Sequence, residues 1–182
     1  MAKDNAEPSP SVHPAPRLGL HTCEDLLEKL RWEHGLLEKQ WDSQFLAFNF
    51  AITANHLYAD WIKSAGNQAQ RSRVNQLPGI GKKLFTVWRD VANASKHWKL
   101  DKKNRERQVV SEVSQPQIGD WYAYFIAGPV LYLTVEGAKP SLPELAEVTL
   151  KCFEWILESK DQDFPLELEK TMNTVFRPLK DV

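Results

Sequence analysis

The stretch SQFLAFNFAITANHLYADWIKSA, Ser43 to Ala65, decides the architecture. Phe45, Leu46, Phe48, Phe50, Ile52, Leu57, Tyr58, Trp61 and Ile62 follow one another without an intervening proline or glycine, so apolar groups occupy most of a helical circumference. Such a helix must be enclosed by other elements. The stretch therefore predicts a bundle built around a central helix over 43–65.

Working outward, Thr22 followed by Asp25 opens an earlier helix, along which Leu26, Leu30, Leu37 and Trp41 keep one apolar face; Gly35 is a point where it could bend. Residues 66–76, GNQAQRSRVNQ, are polar and start with glycine, which predicts a loop or short exposed turn before Pro78 and Gly79. A third helix is expected from Lys82 to Leu100. From Arg107 to Glu136 the period changes to two, with Val109, Val113, Trp121, Ala123, Phe125, Leu131, Leu133 and Val135 alternating with other residues. That pattern predicts a small antiparallel sheet, with Ala127-Gly128-Pro129 turning between its last strands. Ser141 and Glu144 then stand at capping-box spacing around Pro143, starting a helix through Leu145, Val148, Leu150, Cys152, Phe153 and Ile156 to about Lys160. A short helix is expected after Pro165. The fold class is thus α+β, mainly α: a bundle of about four helices with a small antiparallel β-sheet inserted at 107–136, before the last long helix.

The 182 residues, 42% hydrophobic and 26% charged, suit one domain over 21–182 with one sizeable core. Residues 1–20 hold Pro8, Pro10, Pro14 and Pro16 and no apolar run, which predicts a disordered leader, no membrane association and a cytoplasmic location. Cys23 and Cys152 lie far apart without metal-type pairing and are expected as reduced core residues. A formal net charge of -1 speaks against tight nonspecific nucleic-acid binding while allowing a local basic patch.

LPGIGKKL, Leu77 to Leu84, has the form of a Gly-x-Gly hairpin that offers backbone amides to a phosphate at a helix N-terminus. DNA-binding modules of that kind need a packed apolar helix before the turn, and QAQRSRVNQ supplies only Val74. The simpler reading, a tight approach to the third helix, is preferred.

Two polar stripes carry the functional reading. On the third helix Thr86, Asp90, Asn93 and His97 gather opposite Leu84, Val87, Trp88, Val91 and Trp98, with Arg89 and Lys96 on the flank. On the central helix Asn49, Thr53, His56 and Asp60 follow a 4-3-4 spacing along one line. If buried, these groups need partners, and the economical arrangement turns the two stripes toward each other or a common cleft. Imidazole serves as general acid or base near neutral pH, and a guanidinium stabilises charge on a phosphorane. RNA brings its own 2′-hydroxyl nucleophile, so His, Arg and an orienting polar residue suffice without metal.

With Arg89, Asn93 and His97 on one late helix of a bundle, the chain resembles the HEPN superfamily, whose ribonuclease members carry Arg, a polar residue and then His on a helix. The resemblance covers residues 22–100 and 141–160. It implies a dimer with a composite site, RNA as substrate, an antitoxin-like protein partner, and a bacterial toxin or phage-defence role. His97 would act as acid/base, Asn93 would orient, Arg89 would contact phosphate, and Asp90 would complete the catalytic stripe; no cofactor or metal is required. Seven residues separate Arg89 from His97, more than is usual for the family, and Ala92 stands where the motif sets its Arg. Two alternatives accompany this reading. One is a non-catalytic interaction module of the same fold, for which seven tryptophans, read mostly as core, and a sheet edge offer contact area. The other is a metal site assembled from His56, Asp60, Asp90 and His97.

Overall fold

The computed structural model describes residues 19–96, 108–114 and 130–178. The expected leader up to residue 18, His97, Trp98, Trp121 and the Ala127-Gly128-Pro129 turn lie outside the described residues. Within them the chain is mainly helical with one two-stranded antiparallel sheet, as its periodicities predict.

Helix α1 spans Cys23–Leu37 and begins at a reciprocal capping box, in which the Asp25 amide donates to Thr22 Oγ1 at 3.0 Å and the Thr22 amide donates to Asp25 Oδ2 at 2.8 Å. It runs through Gly35 without a break. Helix α2, Gln44–His56, passes directly into a π-helical turn at Leu57–Trp61 and then the short α3, Ile62–Ser64. The chain leaves α3 at Gly66, where a Cβ would lie 2.4 Å from the Ile62 carbonyl oxygen, a contact only glycine avoids.

Residues 68–76 correct the expected loop. They form helix α4, Gln68–Gln76, opened by a second reciprocal capping box between Asn67 and Gln70. Its buried face is polar. Arg73 Nε donates to the Ile156 carbonyl at 2.9 Å, and Gln70 Nε2 donates to the Leu157 carbonyl at 3.3 Å and to Glu24 Oε1 at 2.8 Å. These groups cap the C-terminus of α6, Leu142–Glu158, whose last turn contains no basic residue of its own, so α4 brings a cation to the negative end of that helix.

Helix α5, Gly79–Lys96, follows α4 after Leu77 and Pro78. The helix before the hairpin LPGIGKKL is thus polar on its buried face and is not the apolar one that a DNA-binding hairpin needs. A Cβ at Gly81 would meet Leu77 Cδ2 at 3.1 Å, so this glycine serves the close approach of the turn, whereas Gly79 has open space around it. Strands β1, Val110–Ser114, and β2, Tyr132–Val135, pair with Val110 opposite Val135 and Ser114 opposite Tyr132, with an irregularity between Val110 and Glu112. Glu136 and Gly137, both at positive φ, turn the chain back to Ala138. Helix α6 starts at the expected box, where the Ser141 amide donates to Glu144 Oε2 at 2.9 Å. Helix α7, Leu166–Val175, is the short helix expected after Pro165.

The core lies where α5 packs between α2 and α6, with α1 against both. Trp88 of α5 is buried edge-on to Phe50 of α2, at 5.2 Å between ring centroids, and its indole N–H donates to Thr149 Oγ1 of α6 at 2.7 Å. Phe85 stacks on Tyr58 at 4.0 Å and leans on Phe153 at 5.0 Å. Arg31 ties α1 to α6 through Glu154 and Glu158. Of the tryptophans, Trp88 and Trp155 are buried, Trp41 and Trp61 half-buried, and Trp32 exposed. Both cysteines are buried and unpaired, as expected; burial pushes the Cys23 thiol up to about 11 and Cys152 further still. Among the described residues no helix is long and apolar enough to cross a membrane.

Replacing Thr149 by the isosteric valine leaves the Trp88 indole N–H buried without an acceptor. Urea denaturation should show a loss of about 1–3 kcal/mol with an unchanged m-value; a loss below a few tenths would mean that the bond contributes nothing.

Candidate functional site

On α5 the inward face is made by Leu84, Phe85, Val87, Trp88 and Ala92, all buried. Arg89 lies on the other side with its side chain 40% exposed, and Asn93, one turn further, is half-buried. Ala92, the residue before Asn93, is completely buried in the helix packing. A guanidinium there would have to enter the core, and the exposed arginine one turn earlier is Arg89.

The wheel puts Asp90 opposite the apolar face, which predicts exposure. Instead its side chain is 6% exposed, because the start of β1 packs across it. The Val109 and Val110 amides donate to Asp90 Oδ2 at 2.6 and 3.4 Å, while Arg89 Nε and Nη2 donate to Oδ1 at 3.2 and 2.9 Å. Those backbone donors come from a strand that a helical projection does not contain.

The central-helix stripe divides three ways. Thr53 is buried and its Oγ1 accepts from Lys29 Nζ of α1 at 2.6 Å. Lys29 also pairs with Glu33, whose carboxylate is buried and whose Oε2 has no partner among the described residues. Asn49 is exposed and His56 half-buried. Asp60 is exposed within the π-helical turn, where the Ile62 amide donates to the Leu57 carbonyl five residues back. The wider turn ends the 3.6-residue repeat on which the line through Asn49, Thr53, His56 and Asp60 depends. The two stripes therefore do not converge through their buried members: Thr53 is committed to α1 and Asp90 to β1.

Lys29 and Glu33 are the polar residues of this packing that the sequence reading passed over. The signal was available, since Glu33 lies three residues after Leu30 and four before Leu37, within the apolar line of α1, with Lys29 one turn earlier. No group of three His, Cys, Asp or Glu side chains able to hold a metal gathers among the described residues. His97, a member of the proposed His56, Asp60, Asp90 and His97 set, lies outside them. No protein-family model, no curated protein and no solved structure matches the chain.

Lys29→Met should destabilise the fold by about 1–3 kcal/mol by leaving the Glu33 carboxylate buried without its cation. Adding Glu33→Leu should recover most of that loss. A double variant no more stable than the single one in guanidinium melts would show that the pair is not coupled.

Proposed function

We propose that the chain is a HEPN-like metal-independent endoribonuclease of the bacterial toxin or phage-defence kind, acting on RNA as a homodimer and held in check by an antitoxin-like protein. The observation that carries this reading is the outer face of α5, where Arg89 reaches solvent one turn before Asn93, with His97 four residues further along the sequence. The sequence continues with Lys96, Lys99, Lys102, Lys103, Arg105 and Arg107 against Asp101 and Glu106, a local positive excess suited to phosphates in a chain of net charge -1.

In the proposed reaction His97 takes the proton of the RNA 2′-hydroxyl, and the 2′-oxygen attacks the adjacent phosphorus. The bond to the 5′-oxygen breaks, and that oxygen leaves with a proton supplied by an imidazolium, yielding a 2′,3′-cyclic phosphate and a 5′-hydroxyl. Arg89 offsets the negative charge that grows on the non-bridging oxygens. Asn93 holds the reacting groups in line. A homodimer would supply an imidazole on each side of the scissile bond.

A second reading, an interaction module of the same fold, has its own observation. Between α2, α5 and β1 lies an apolar groove of about 530 Å³, lined by Phe45, Ala47, Phe48, Val91, Ala94, Val113 and Leu131 with Gln44 as the polar member. Phe45 is 85% exposed and Val113 47% exposed. Such a patch on a small protein is a contact surface in waiting.

Incubating a mixed pool of structured and single-stranded RNA with the protein in EDTA should produce fragments with cyclic phosphate ends. His97→Ala should lower the rate by about 10²-fold or more. Equal cleavage by both proteins would remove His97 from the chemistry, and no cleavage by either would favour the interaction module.

A further inference from the structure

We infer that Asp90 is a positioning residue, whose carboxylate holds the Arg89 guanidinium against the returning chain at Val109 and Val110. The assignment rests on satisfaction of its lone pairs. A carboxylate offers about four acceptor sites, and this one meets four donors: Arg89 Nε and Nη2 on Oδ1, and the Val109 and Val110 amides on Oδ2. With its side chain 6% exposed, it has neither a lone pair nor the solvent access needed to take a proton from a substrate or to hold a metal ion. The sequence reading places Asp90 in the catalytic stripe; the proposal gives it a different task.

That task is orientation. An arginine side chain on a helix surface ordinarily samples many rotamers. Here two nitrogens on the inner edge of the guanidinium share one carboxylate oxygen, which fixes the plane of the group and the direction of its outer edge. The other oxygen accepts from the chain nineteen residues further on, so one carboxylate joins Arg89 to the start of β1. Phosphate recognition by a fixed guanidinium loses less entropy than recognition by a mobile one. This last consequence rests on the ribonuclease reading; the positioning itself does not.

The first test needs no variant. In the full-length protein, NMR should detect a through-hydrogen-bond coupling between the Val109 nitrogen and the Asp90 side-chain carboxyl carbon, and an Arg89 Nε–H that exchanges slowly with water. Absence of the coupling overturns the proposal. In Asp90→Asn one acceptor oxygen becomes an amide donor, so Arg89 Nε–H or the Val109 amide should exchange at least about tenfold faster; unchanged exchange at both sites also overturns it. The RNA arm uses a single-stranded oligoribonucleotide of mixed sequence. Asp90→Asn should weaken binding about tenfold, as Arg89→Ala does, and the double variant should bind no worse than Arg89→Ala alone. Additive losses would show that Asp90 does not act through Arg89. If the wild type does not bind the oligoribonucleotide, the ribonuclease reading fails, while coupling and exchange still decide the role of Asp90.

Discussion

The hydrogen bond from the Trp88 indole to the Thr149 hydroxyl is the point on which the packing turns. Trp88 is too large to be placed without displacing its neighbours, and its N–H must find an acceptor once water is gone. Thr149 meets both demands, because its hydroxyl accepts from Trp88 at 2.7 Å and donates to the Leu145 carbonyl at 2.6 Å. With Phe50 edge-on to the same indole, α2, α5 and α6 are brought to one fixed geometry. The Tyr58, Phe85 and Phe153 rings then fill the next layer, and the π-helical turn carries Tyr58 flat onto Phe85. What remains outside this core is a set of polar connections, among them Arg31 to α6 and α4 to the end of α6.

Helix α5 meets three demands along a few turns. Its inner face is tied to Trp88 and cannot change, which is why Ala92 is completely buried and no cation stands there. Its outer face presents Arg89 and Asn93. Between the two, Asp90 is turned by β1 into a structural acceptor.

The legible features were those governed by neighbours in sequence. Thr22 with Asp25 and Ser141 with Glu144 close their capping boxes within one turn, whereas the apolar circumference of α2 overstated its burial: Phe50, Ala51 and Ala54 are buried and Phe45 on the other side is exposed. Helix α4 escaped because its buried face is Gln70 and Arg73, residues that periodicity counts as solvent-facing; their partners at Glu24, Ile156 and Leu157 are remote in sequence. The stripe through Asn49, Thr53, His56 and Asp60 was drawn on an ideal helix, and the Leu57–Trp61 turn is not one.

Sequence alone determined the capped starts of α1 and α6, that the chain is mainly helical, and that a small antiparallel sheet interrupts the bundle, because caps and periodicities are short-range physics. Only the tertiary structure decided which polar residues are committed to packing. A carboxylate's task depends on the donors around it, and those of Asp90 include amides nineteen and twenty residues away. Thr53 is likewise claimed by Lys29, twenty-four residues earlier. No pattern within one helix contains that information, since partners from other elements arrive only when the chain folds.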